Sequence, residues 1–342
     1  MKEGISMIKE RVNSSTYRFS FTNSPLDDGR LSNCTIDSQN NLVLLSSKTS
    51  GCYISNTIDF ELFKSLVASW KCNTSNENSI ELLIQVRRED GKWSDLMSYG
   101  NWTISEERGS TKPSRNNIAS INIDTISLNN PSLGNAVRFK INLQRDDKYS
   151  ASPVLSNIFI SLNTLECKYK ERNIPIDKEI AIRPRSQRIV EGIGDRICSA
   201  TSLAMVMEYY NRCLTTEETA NGVYDRFNDI YGNWSFNVAF ANEQGLTSYV
   251  SYLKDVNLLK EYIADGKPII CSVKTKDQND LKGSPQSYPN GHLLVVSGFK
   301  FENNKEYVVT NDPAWHLERK VRTLYPINDF IKAWSGVAYI IN

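Results

Sequence analysis

The chain has 342 residues, 40% of them hydrophobic and 23% charged, with a formal net charge of +1. That balance is ordinary for a globular protein of about two domains and excludes a disordered chain. A charge near zero gives no electrostatic ground for nucleic acid or an anionic membrane as partner, and no stretch approaches the roughly 18–20 apolar residues of a membrane helix.

The N-terminus, MKEGISMIKERVNSS, has early lysines but no apolar run, so it does not read as a secretory signal. As written the chain reads as cytoplasmic. An extracellular place would follow from a start assigned too far downstream.

Through the first half the pattern is that of strands. Val137, Phe139, Ile141 and Leu143 alternate with Arg138, Lys140, Asn142 and Gln144, which is period two over one wet and one buried face. The stretch Ser79 to Arg88 is β-rich, and shorter runs occur at 42–45, 66–70, 121–128 and 158–162. Asn-, Ser-, Asp- and Gly-rich turns separate them, so an antiparallel all-β sandwich is expected. Trp93, Tyr99 and Trp102 would suit sugar stacking or peptide gripping if exposed, and are core and rim residues otherwise.

The pattern breaks over 165–185, where LECKYKERNIPIDKEIAIRPR is charged and carries two prolines. A boundary near Glu171 divides the chain into a β-sandwich, 1–170, with a binding role open to it, and a second domain, 171–342. In that domain Ala200, Leu203, Ala204 and Met207 share one helix face. Thr215 with Glu218 forms a capping box, and helices are expected over 235–244 and 254–264. Strand-like runs follow at 269–273, 292–299, 307–310 and 337–341, an α+β arrangement.

Seven cysteines are scattered as Cys34, Cys52, Cys72, Cys167, Cys198, Cys213 and Cys271, with neither a CxxC pair nor Cys–His zinc spacing. The odd count argues against a disulfide framework, and seven thiols favour a reducing interior. Cys198 stands out because it lies between a Gly-containing turn and the first helix of the second domain. There the positive end of the helix dipole lowers a thiol's pKa. Cys213 lies at the far end of that helix, and Cys271 lies within an apolar strand.

Only two histidines exist, His292 and His316. His292 follows Gly291 and opens an apolar strand, a place from which an imidazole can point into a cleft. His316, in DPAWHLERK, reads as surface. Asp312, in VVTNDPAW, follows the next strand, and Pro313 restricts it to extended geometry. NDP is equally a turn sequence. Adjacent antiparallel strands would set Asp312 beside His292, where the carboxylate would accept the imidazole Nδ1–H and aim the ring at Cys198. The developing oxyanion needs donors: the Cys198 N–H would be one, and Gln187, the nearest upstream side-chain amide, the second. Asn233, Trp234 and Asn237, in GNWSFNVAFANEQGL, offer an aromatic plane and amides near one helix start and would line a substrate groove.

The order SQ, CSATSLAMVMEYY, GNWSFNVAFANEQGL, GHLLVVSGF and NDPAW over 180–342 resembles the bacteriocin-processing cysteine peptidases, family thirty-nine, and above all their stand-alone bacterial relatives. The resemblance implies a papain-like fold, with nucleophile, base, carboxylate and oxyanion amide on Cys198, His292, Asp312 and Gln187. Exporter-borne members follow the cysteine with glycine and place the glutamine closer. Here Ser199 and Ala200 follow Cys198, and no membrane or nucleotide-binding domain is present. The double-glycine leader specificity of the exporters is therefore not carried over.

The expected function is thiol-dependent hydrolysis of a peptide or related amide without metal or cofactor, acting on a peptide or protein substrate. A transferase using an amine in place of water shares the first step. The alternative is a catalytically silent papain-like domain beside a sandwich that binds carbohydrate or protein.

Overall fold

The computed structural model describes residues 4–24, 29–165 and 175–342. The expected boundary near Glu171, and Cys167 with it, lie outside the described residues. The chain forms two compact units, Met1–Glu166 with Tyr224–Gly245, and Cys167–Val223 with Leu246–Asn342. A segment of the second half of the sequence therefore belongs to the first unit, which the division at 170/171 does not foresee.

All strand pairs of the first unit are antiparallel among the described residues. One layer runs Gly4–Arg11, Thr16–Ser24, Val154–Thr164, Ile58–Asn73, Thr125–Leu128, Ala119–Asn122 and Ser114–Arg115. The other sets Gly29–Ser32, Ser50–Ser55, Gly134–Arg145, Asn78–Arg88 and Met97–Trp102 side by side. Their inner faces meet edge to face, with Phe19 and Phe139 ring centroids 5.8 Å apart and Phe21 and Tyr53 5.6 Å apart. The sandwich is as expected from the alternation at 137–144 and the short strand-like runs around it.

One strand breaks the alternation for a physical reason. In Ile58–Asn73 every residue from Ser65 to Trp70 is buried. Its outer face is covered by the helix Trp234–Glu243, so both sides face apolar matter and the period-two signal disappears. Ser235 Oγ donates to Ala68 O at 2.6 Å and Asn242 Nδ2 to Trp70 O at 2.9 Å. Phe236 packs against Trp70 and Trp102 at 6.2 and 5.2 Å. Tyr99 and Trp102 are 1% and 0% exposed, so they are core residues, and Trp93 is half-buried under Arg138.

The helix N-terminus rests on a buried acid. Asp124 Oδ2 accepts the Trp234 N–H at 2.6 Å, and Oδ1 accepts the Thr125 hydroxyl at 3.0 Å. Burial pushes its carboxyl up to about 7 against those hydrogen bonds. An acid raised in the folded state favours the fold fully below its unfolded pKa of ~3.9, and that contribution is lost as pH rises through about 7. Asp124→Asn keeps an acceptor for the helix and removes this slope. It should raise first-unit stability by ~1–3 kcal/mol at pH 8, with little change at pH 4, in urea titrations at the two pH values.

In the second unit the sheet order is Ser248–Tyr252, Trp334–Ile341, Ile269–Val273, His292–Glu302, Lys305–Asn311 and Arg322–Pro326, with Lys178–Glu179 paired to His292–Glu302. Thr215 and Glu218 make the expected reciprocal capping contacts, 3.1 and 2.7 Å, at the start of Thr216–Val223. The helix Cys198–Tyr209 lies on the sheet and is buried from Ser199 to Met207. It is therefore enclosed on all sides, more than the one apolar face expected. Small residues permit that approach: Ser202 Oγ donates to Leu293 O at 3.0 Å, and Ser199 and Tyr339 hydroxyls are 2.9 Å apart.

Candidate active site

Cys198 is the first residue of its helix. Ile197 caps that helix with no side-chain hydrogen bond, so backbone donors at the N-terminus remain available beside the thiol. His292 is the first residue of its strand, which pairs with Lys305–Asn311. Asp312 follows that second strand directly and is 0% exposed.

The imidazole and carboxylate meet, but through the other nitrogen from that expected. His292 Nε2 lies 2.8 Å from Asp312 Oδ1. The cause is register. Asn311 pairs with Val295, so Asp312 lies offset along the sheet from His292 and is reached by the far end of the ring. Nδ1, on the main-chain side of the ring, is left for Cys198, and the His292 and Cys198 charges act on each other.

Asp312 is saturated with donors. Oδ1 also accepts the Ala314 N–H at 2.9 Å, closing an Asx-type turn around Pro313. Oδ2 accepts the hydroxyls of Tyr288 and Tyr325, each at 2.6 Å. NDP is thus both a turn and a carboxylate mount. The Tyr288 ring also stacks on the His292 ring, with centroids 4.1 Å apart and planes 8° from parallel.

These contacts separate charge. Burial opposes ionisation of Asp312, but His292 and then the tyrosine hydroxyls outweigh it and hold the carboxyl below its ordinary value. Burial likewise opposes a charged His292, but the Asp312 and Cys198 charges raise it to about 10. For Cys198 burial would raise the thiol, and the His292 charge and hydrogen bond, with backbone groups of Leu293 and Ser199, bring it below the ordinary thiol value. Both tyrosines are pushed upward by burial and by Asp312, so they stay protonated donors.

The other candidate residues are placed as follows. Gln187 is 3% exposed and opens a short 3₁₀ turn. Its backbone N–H donates to Pro313 O at 2.9 Å and its Nε2 to Gly194 O at 2.7 Å, while its buried Oε1 has no partner. Asn233, Trp234 and Asn237 are in the first unit, whereas Cys198, His292, Asp312 and Gln187 are in the second. Asn233 and Asn237 are buried and committed to the helix itself: Asn233 Oδ1 accepts the Phe236 N–H at 3.1 Å, and Asn237 Nδ2 donates to Tyr231 O at 2.9 Å. The Asn233 side chain caps the helix, whose first N–H groups need acceptors, whereas Asn237 Nδ2 ties the first turn to the carbonyls of Tyr231 and Asn233. Trp234 is half-buried, and His316 is exposed.

The sequence reading missed Tyr288 and Tyr325. A signal for Tyr288 was present in YPNG immediately before His292. Proline and glycine suit a tight turn, Gly291 N donates to Tyr288 O at 3.1 Å, and the turn folds Tyr288 back over the imidazole. Tyr288→Phe removes a donor from a buried carboxylate. It should cost ~1.5–3 kcal/mol in urea unfolding of the second unit.

A helix opening on a cysteine and packed on an antiparallel sheet that carries a His–Asp pair defines a papain-like cysteine peptidase type of domain. Residues 179–340 match the peptidase C39-like family, and residues 48–162 match the peptidase C39 N-terminal domain. The second half of the chain is thus similar to the peptidase C39-like family. Among solved structures, a putative C39-like peptidase from Bacillus anthracis is 17% identical, with a TM-score of 0.37 over 49% of this chain and 98% of that one. A double glycine motif protease from an AMS/PCAT transporter, in complex with its leader peptide, is 22% identical, with a TM-score of 0.31 over 49% of this chain and 98% of that one. No curated protein matches the chain. Among the described residues, no helix is long and apolar enough to cross a membrane.

Proposed function

We propose that the chain hydrolyses a peptide or related amide bond through Cys198, His292 and Asp312. The observation that carries this reading is the Asp312–His292 hydrogen bond beside Cys198 at a helix N-terminus, with the thiol lowered and the imidazole raised by their mutual charges. Those opposite shifts favour a thiolate–imidazolium pair near neutral pH.

The Cys198 thiolate attacks the carbonyl carbon, and the carbonyl oxygen takes up the negative charge. The Cys198 N–H and the Nε2–H of Gln187 not used by Gly194 serve as its donors. Collapse expels the amine as His292 Nδ1 delivers its proton, leaving a thioester. His292, now neutral, takes a proton from water as the water attacks, and the acid product leaves. An amine in the place of that water gives a transferase outcome from the same thioester.

The test is iodoacetamide labelling followed by intact mass and peptide mapping across a range of pH. Cys213 is exposed in the same unit and serves as an internal reference thiol. Cys198 should label fast and singly below pH 7, where a thiol of pKa ~8.5 is almost wholly protonated. Labelling of Cys198 that only tracks Cys213 with pH would defeat the reading.

A further inference from the structure

The first unit carries a cleft of about 580 Å³ that the hydrolytic reading does not use. It lies on the wet face of the sheet formed by Ser50–Ser55, Gly134–Arg145, Asn78–Arg88 and Met97–Trp102. Its size is within the range of ligand sites, about 300–1,000 Å³.

The register builds its floor. Cys52 pairs with Asn142, Asn142 with Glu81, and Glu81 with Asn101, so four neighbouring strands put these residues in one row on one face. The next row on that face sets Gln144 between Ser50 and Ser79. The short side chains of Ser50 and Ser79 leave room above the sheet. Glu81 is held in place by Ser98 Oγ at 2.6 Å on one carboxylate oxygen and Asn142 Nδ2 at 2.8 Å on the other. The side-chain amides of Asn101 and Gln144 make no hydrogen bond within the described residues, and both reach the cleft.

Phe227 forms one wall and is 52% exposed. A Cβ on Gly109 would come within 2.4 Å of the Phe227 ring, so the glycine lets the ring lie on the backbone. Gly109 in turn pairs with Asn101, its N–H donating to Asn101 O at 3.1 Å. Lys112 bonds the Phe227 carbonyl and fixes the segment. An exposed aromatic face therefore stands beside the Asn101 end of the amide row.

We infer that this cleft is a binding site for a neutral saccharide. A sugar ring offers an apolar C–H face to an aromatic plane and a rim of hydroxyls that both donate and accept. Phe227 supplies the plane, the amides of Asn101, Asn142 and Gln144 supply donors and acceptors, and Glu81 supplies a fixed acceptor. No Lys or Arg lines the cleft, and Glu81 is the single charged lining residue, which disfavours an anion. This inference does not rest on the peptidase reading.

The test is isothermal titration of the full chain carrying Cys198→Ala, which removes hydrolysis as a variable. The probes are pentamers of N-acetylglucosamine, glucose in β-1,4 and α-1,4 linkage, xylose and mannose. At least one should bind at millimolar concentration or below. Phe227→Ala and, separately, Gln144→Ala should weaken it roughly three- to tenfold, with the melting temperature of each variant measured alongside. Gln144 is exposed and its removal leaves packing intact. The inference is overturned if no pentamer binds, or if binding survives both substitutions unchanged.

Discussion

Replacing His292 with alanine should cut peptide hydrolysis by roughly 10²–10⁴-fold or more, the worth of a positioned general acid–base. Alkylation of Cys198 should respond differently, and the difference identifies the mechanism. Without the imidazolium, only the backbone groups of Leu293 and Ser199 still oppose burial, and the thiol pKa rises. At about pH 6 the thiolate fraction then collapses, and labelling slows by tenfold or more, since the greater nucleophilicity of a more basic thiolate recovers only part of the loss. At about pH 9.5 much of the thiolate forms without help, and labelling should approach the wild-type rate. Hydrolysis should not recover at either pH, because no group remains to protonate the leaving amine. Equal loss of labelling at both pH values would mean that His292 only holds the fold. An unchanged labelling profile would mean that it does not touch the thiol chemistry.

Much of this site was legible because its parts are local in sequence. A small-residue helix opening on Cys198, an apolar strand opening on His292 and an NDP turn closing the next strand each announce themselves in a few residues. The orientation of the imidazole was not legible, because it follows from the offset between two strands, with Asn311 opposite Val295. Tyr325 was hidden for the same reason: its strand pairs Val308 with Tyr325, and the short-range sequence shows no sign of that register. The largest difference lies in 224–245. The capping and apolar pattern of Trp234–Glu243 reveals a helix, but not which of two apolar sheets will cover its face. Ser65 to Trp70, with its lost alternation, held the complementary clue that something must cover that strand.

The charge arrangement also predicts an unusual dependence of stability on pH. Asp312, lowered in the fold, stabilises above its unfolded pKa of ~3.9, and that contribution is lost as pH falls through its folded value. His292 alone, raised to about 10, would stabilise fully below ~6.5 and lose that contribution as pH rises through about 10. Cys198, lowered, stabilises above the unfolded thiol value of ~8.5 and loses that contribution as pH falls through its folded value. Taken together, the folded thiolate–imidazolium pair holds one proton. The unfolded pair holds two below pH ~6.5, one between ~6.5 and ~8.5, and none above. Stability from this pair should therefore rise toward pH ~6.5, stay level to ~8.5 and fall toward about 10. Cys198→Ala removes the thiolate and leaves His292 against Asp312, so stability should begin to fall from pH ~6.5, by up to ~1.4 kcal/mol per pH unit. Urea titrations of the second-unit transition at intervals from pH 6 to 9 read the difference. A wild-type chain that already slopes downward across pH 7 to 8, parallel to Cys198→Ala, would show that the thiol stays protonated beside a charged imidazole. Attack by a preformed thiolate would then have to give way to a mechanism in which His292 first loses its own proton and takes one from Cys198 as the substrate is engaged.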